Sequence, residues 1–366
     1  MNRCIRPALL VCGAALCLST GSVADTPTEA AIPDPVRAWE VRDLAPLEDW
    51  LAAATGDVGA HDDNASGKHV PLLRAQAWLA RREGEAERAL TLIDRAIEMA
   101  PDRPDLRVDR AAFRSDRIED SGPFTSLRIA RDVRRDLEHA LAVAPEHADA
   151  LAALTAFHLR APGIAGGDRD EAAALLARLG ELAPSRRTFR EAIELAEAER
   201  LTDAVDRIAL ALSQADRARP NWRVRLGDWL HRVGRNDEAL EAYRQALMEA
   251  PQHAGAMYAL GRTSAESGLA AEAGIDALER FLAQPRWPLD PEPKLAWWQL
   301  GRIHAGAGCV EQAEAAFRRA MALDPGWRDP RRSLERLDRV ETRKCVVEAR
   351  QVQASAPSPA DPGTVE

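Results

Sequence analysis

Gly227 and Gly261 stand 34 residues apart, as do Gly234 and Gly268, and both pairs sit at matching places in a longer pattern. Such a period constrains a chain more than its composition does. Each unit must be a small supersecondary structure that buries its apolar face only against a neighbour. One copy reads Trp297-x2-Leu300-Gly301-x2-His304-x3-Gly308-x4-Ala313-x3-Phe317-x2-Ala320-x4-Pro325. A second reads Leu226-Gly227-x2-Leu230-x3-Gly234-x4-Ala239-x3-Tyr243-x2-Ala246-x4-Pro251. Two helices packed as a hairpin need these residue types at this spacing. Leu300 and Phe317 fill the gap between helices, and Gly301 and Ala313 let the backbones approach. Gly308 permits the turn, and Pro325 ends the second helix.

Elsewhere the pattern weakens but keeps its phase. Gly84-x4-Ala89-x3-Ile93-x2-Ala96-x4-Pro101 is the second half of an early unit, and helix ends are expected at Pro145 and Pro184. Their wider intervals place insertions near 118–126 and 161–167, and three prolines within 286–293 break another helix. The stretch 187–220 has helical periodicity and little consensus. Seven units are expected in all.

These units resemble the tetratricopeptide repeat, with His304 in place of the usual Tyr. The resemblance implies an all-α fold: a right-handed α-solenoid of antiparallel helix hairpins whose first helices line a concave groove. N-terminal helices precede the array in this reading, and a C-terminal capping helix follows it. Expected boundaries are a signal peptide at 1–24, a flexible leader at 25–33, and a helical cap with a polar loop at 34–69. The repeat array then runs over 70–327, a capping helix over 328–350 and a disordered tail over 351–366.

The signal-peptide reading rests on Arg3 and Arg6, an uncharged apolar run from Ala8 to Leu18, and Ser22-Val23-Ala24 before Asp25. The run is short for a membrane span, which needs about 20 residues; the alternative is an uncleaved anchor. Nothing later in the chain is apolar enough to span a bilayer, so the mature protein is expected in the periplasm or secreted. Only Lys68, Lys294 and Lys344 stand among 49 basic residues, a bias that fits a high-GC bacterial gene; with the signal peptide, the chain is expected to be of the exported bacterial type. Three cysteines lie within the signal peptide, and Cys309 and Cys345 remain. In an oxidising compartment that pair suggests one disulfide pinning the capping helix to the last repeat; the alternative is two free thiols. With 58 acidic residues against 49 basic ones, net charge −9, binding to nucleic acid through bulk charge is disfavoured.

In proteins that resemble this one, first-helix positions contact bound peptides. Tyr258 and Arg262 lie one turn apart, Trp298 and Arg302 repeat the arrangement, and Arg74 and Trp78 reverse it. Arg225, His231 and Arg232 stand on the same side of the Gly227 unit. Arginine offers forked donors to a carboxylate, and an aromatic face holds an apolar or cationic group. These nine residues are therefore the candidate groove. Its expected partner is a protein or peptide with acidic groups or a C-terminal carboxylate. The plain alternative is that neighbouring Trp and Arg stack on each other.

Catalytic and cofactor signals are weak. Asp62-x-Asn64-x-Ser66-Gly67 resembles the start of a calcium loop, but the twelfth residue is Leu73. Pro162 to Gly167 lacks the strand and the Lys-Ser/Thr of a phosphate loop, and Asp168 with Glu171 reads as a helix cap. No nucleophile elbow or zinc motif occurs, so no metal, cofactor or catalytic residue is expected. The expected function is a non-enzymatic adaptor of the cell envelope. Its rivals are a membrane-tethered assembly factor and an enzyme with its site in the irregular region 104–219. A pocket with convergent polar groups there would favour the enzyme.

Overall fold

The structure, a computed structural model, describes residues 33–41, 44–56, 66–118, 121–287 and 290–337, which fall in one compact unit. Every regular element among them is helical. α1 (Pro35–Val41) and α2 (Ala45–Gly56) come first. Seven hairpins then follow: α3 (Ser66–Arg82) with α4 (Ala86–Met99), α5 (Pro104–Ser115) with α6 (Pro123–Val143), and α7 (Ala148–Arg160) with α8 (Arg169–Leu182). The remaining four are α9 (Pro184–Glu197) with α10 (Leu201–Ser213), α11 (Pro220–Arg232) with α12 (Asn236–Glu249), α13 (Ala254–Ser267) with α14 (Ala271–Ala283), and α15 (Pro293–Gly306) with α16 (Val310–Leu323). α17 (Arg328–Leu337) packs on the last hairpin. Each helix packs most extensively on its hairpin mate and next on the adjoining hairpin, the contact order of an α-solenoid.

Proline punctuates the array. It opens α5, α6, α9, α11 and α15, where its missing N–H is not needed. Pro184, expected as a helix end, is the first residue of α9, and a single residue, Ala183, separates it from α8. Asp168 caps α8 by accepting from the amides of Asp170 and Glu171. The tight turns take a left-handed residue: Gly84, Gly234, Gly268 and Gly308 have φ of +78°, +82°, +74° and +76°. The fourth hairpin puts Glu199 there instead, at +60°.

The second helices bury residues at i, i+4 and i+7: Ala89, Ile93 and Ala96; Ala239, Tyr243 and Ala246; Ala313, Phe317 and Ala320. Burying one such ring contributes about 1.5–3 kcal/mol. A Cβ added at Gly227, Gly261 or Gly301 would strike Tyr243, Leu278 or Phe317 respectively, so these first helices approach closely only as glycine. The apolar side chains form successive clusters rather than one centre. Leu44, Leu47 and Leu51 seal the first hairpin against Ala75, and Leu334 and Leu337 seal the last against Phe317. No helix among the described residues is long and apolar enough to cross a membrane.

Candidate partner-binding surfaces

The candidate groove residues fall into two separate groups. Arg74 and Trp78 belong to the seam between the first two hairpins. Arg74 Nε donates to Asp109 at 2.6 Å and its Nη1 lies 3.1 Å from Asp105. Trp78 Nε1 donates to the same Asp109 carboxylate at 3.1 Å. Asp109 is 2% exposed and Trp78 4%. Burial pushes the Asp109 carboxyl above its usual range, against the pull of Arg74 and Trp78. Trp78 is thus mostly packing, with its remaining edge on an inner cavity, rather than an aromatic face held out to solvent.

The second group spans the last three hairpins. Arg262 Nη2 donates to Asp228 at 3.0 Å, and the Tyr243 hydroxyl donates to the same oxygen at 3.0 Å. Burial first, and then Asp228, drive the Tyr243 phenol well above its ordinary value. His231 Nε2 lies 2.8 Å from Glu266, which also stands 3.8 Å from Arg302. Arg302 donates to Gln299 at 2.9 Å and lies over the Trp298 ring, 5.0 Å from its centroid. Trp298 in turn meets Trp327 edge-on at 5.3 Å and its Nε1 reaches Ser333 Oγ at 3.4 Å. Tyr258 is half-buried with its phenol raised by burial, and its ring stands 6.0 Å from Phe281. Arg225 and Arg232 are exposed, and no ion pair joins either to another of the described residues.

Most of these groups serve the stack itself. Arg74 with Asp109, Arg81 with Asp116, Asp228 with Arg262, and His231 with Glu266 each join equivalent first helices 34 or 35 residues apart. The reading by type found Arg74, Arg262 and His231 and passed over Arg81 and the acids. Opposite charges one repeat apart were the visible signal.

Two large cavities adjoin these helices. The first, about 830 Å³, is lined by the first helices of hairpins one to four, by Arg219 at the N-cap of α11 and by the start of α1. Asp34, Arg74, Asp109 and Arg186 also stand among its walls, so its charges are mixed in sign. The second, about 860 Å³, lies between α5, α6, α7 and a 3-10 turn over Gly163–Ala165. It is walled chiefly by apolar side chains, and Phe124 (92% exposed) and Ile164 (72%) stand at its edge. This cavity falls within 104–219. Its polar side chains are Ser115, Ser126 and Arg160, and both serine hydroxyls already donate to backbone carbonyls. Among the residues that line it, no nucleophile stands beside a base.

No cluster of three or more metal-ligating side chains occurs among the described residues, and the Asp62–Gly67 loop lies outside them apart from the backbone of its last two residues. Cys309 is buried at the N-cap of α16 and is disulfide-bonded; Cys345 lies outside the described residues.

Tetratricopeptide-repeat family models match residues 223–255 and 295–327, which correspond to the fifth and seventh hairpins. No curated protein matches the chain. Among solved structures, the APC/C hetero-tetramer Cut9-Hcn1 superposes with a TM-score of 0.49 at 13% identity, over 82% of this chain and 53% of that one. This chain thus spans about half the length of that neighbour. A thermophilic TPR protein of Thermus thermophilus gives 0.42 at 18% identity, over 53% of this chain and 98% of its own. YrrB, a TPR protein with an unusual peptide-binding site, gives 0.34 at 14% identity, over 68% and 98%.

Proposed function

We propose that this chain, which carries tetratricopeptide repeats at 223–255 and 295–327, is an exported, non-enzymatic scaffold that holds a segment of a partner protein against its first helices. Repeats of this type are typical of protein–protein interaction scaffolds. The observation that carries the reading is the cavity of about 830 Å³ that four first helices and the N-cap of a fifth open on their shared face. Arg225 and Arg232 lie outside the cavity walls but exposed on α11, the helix whose N-cap reaches it, and support a partner with acidic groups or a free carboxylate. A disulfide at Cys309 fits the oxidising compartment that the expected signal peptide at 1–24 implies, and we propose Cys345 as its partner.

The test is affinity capture on the mature chain, wild type beside Arg225→Glu/Arg232→Glu, with mass spectrometry of what is retained. These two arginines are the right pair to reverse because Arg262 and Arg302 also hold the stack. A protein kept by the wild type and lost by the folded variant is the expected result; identical retention by both sinks the carboxylate reading. Sequencing the N-terminus of the envelope fraction separates a cleaved leader, starting at Asp25, from a tethered form that begins at Met1.

A further inference from the structure

α1 stands outside the seven hairpins. Asp34 caps it through the Val36 amide at 3.1 Å and Pro35 opens it, yet at seven residues it is far below the length at which a helix holds itself in water. Leu44 and the α2 leucines Leu47 and Leu51 seal the first hairpin, and α1 adds only Ala38 to that cluster. Instead α1 lies across the inner face, touching α3 of the first hairpin and α11 of the fifth.

Its anchor is Trp39. The ring stands 5.4 Å from Trp78 and 4.9 Å from Trp287, which lies in the segment joining α14 to α15. The Arg81 guanidinium sits over it at 4.4 Å and also faces Trp78 at 4.9 Å and Phe113 at 5.4 Å. Trp78 and Phe113 meet edge-on at 5.2 Å, so the socket has two aromatic walls from adjoining hairpins, a cationic floor and a third wall far along the chain. Asp34, at the other end of α1, lines the cavity of about 830 Å³ beside Arg74 and Arg219. Trp39 remains half-buried, which leaves this contact open to exchange.

Resting on the reading of the first helices as the binding face, we propose that α1 is an internal ligand of that face. The partner segment then presents a tryptophan one helical turn or so from an acidic residue, and displaces Trp39 from the socket formed by Trp78, Arg81, Phe113 and Trp287. The effective concentration of a short tether is of millimolar order. A segment filling its socket about nine-tenths of the time under those conditions binds in trans with a Kd of about 0.1 mM, and its presence weakens any competitor about tenfold.

The experiment titrates a fluorescein-labelled peptide of residues 33–41 into three forms of the full chain: wild type, Trp39→Ala, and Trp39→Ala/Trp287→Ala. Circular dichroism and thermal melts accompany each. The expected result is binding to Trp39→Ala about tenfold tighter than to wild type, lost in the double variant and lost when the peptide itself carries Trp39→Ala. Equal binding to wild type and Trp39→Ala, or no binding to a folded Trp39→Ala chain, overturns the proposal. So does a Trp39→Ala chain that cannot fold, because α1 would then be part of the fold and not a ligand. Partner capture is scored separately: an Arg225/Arg232-dependent partner with no peptide binding leaves the scaffold standing and removes α1 from its control.

Discussion

Gly227, Gly261 and Gly301 hold one place in three hairpins, and each meets a large side chain of its mate helix. The corresponding turn position is glycine in four hairpins and Glu199 in the fourth one along the chain. A left-handed conformation costs an ordinary side chain about 1–2 kcal/mol, so Glu199→Gly should raise the unfolding free energy by about 1 kcal/mol. Urea denaturation of an exposed single-site variant measures this directly. His304 makes a different prediction. Burial holds its imidazole below the ordinary 6.5, so the folded state disfavours its proton. Its contribution to stability is complete above pH about 6.5 and is lost as pH falls below that value toward the folded pKa. Urea midpoints at pH about 7.5 and 5.5 should therefore converge in His304→Tyr relative to the wild type; an unchanged difference assigns the loss to other groups.

Between elements, polar side chains set the register of the stack. Asp228 accepts from Tyr243 of its own hairpin and from Arg262 of the next, so one carboxylate ties three helices. Asp228→Ala should cost about 1–3 kcal/mol by leaving two donors without their acceptor. Arg262→Ala added to that background should cost much less than it does alone, the signature of a shared interaction in a double-mutant cycle. Additive losses would show that the pair is a surface contact of little weight. The same geometry explains why the candidate groove was only partly legible. Residue type and repeat phase located Tyr258, Arg262, Trp298 and Arg302, and the structure does bring them together with His231. Whether a basic residue faces a partner or an acid one repeat away depends on how adjoining first helices pack.

At the scale of the described unit, stability is distributed along the array. Apolar clusters of the first two hairpins and of the second and third share α5, and those from the fourth to the seventh are continuous. Among the described residues no apolar cluster includes both α8 and α9, although the two helices, connected by the single residue Ala183, do pack on each other. Hydrogen exchange in rising urea should show two cooperative blocks that part near that residue, each with its own midpoint. A single midpoint across residues 66–337 that persists in Trp39→Ala, where the Trp39–Trp287 bridge is cut, would mean that the α8–α9 junction couples as strongly as the rest.

Local rules determined much of this protein in advance. A period of 34, glycine where helices touch or turn, alanine and aromatics at helical spacing, and proline at helix boundaries fix hairpins that must stack, whatever their partner. Those features act within one repeat or between neighbours, so they are written in contiguous sequence. Trp39 against Trp287 is of another kind. No spacing announces a contact between residues 39 and 287, because it depends on the accumulated rotation of every hairpin between them. The same holds for the inner cavity, whose walls come from five hairpins, and for the pairing that turns Arg74 and Arg262 from free cations into rungs of the stack. Only the packed array decides which polar groups remain to meet another molecule.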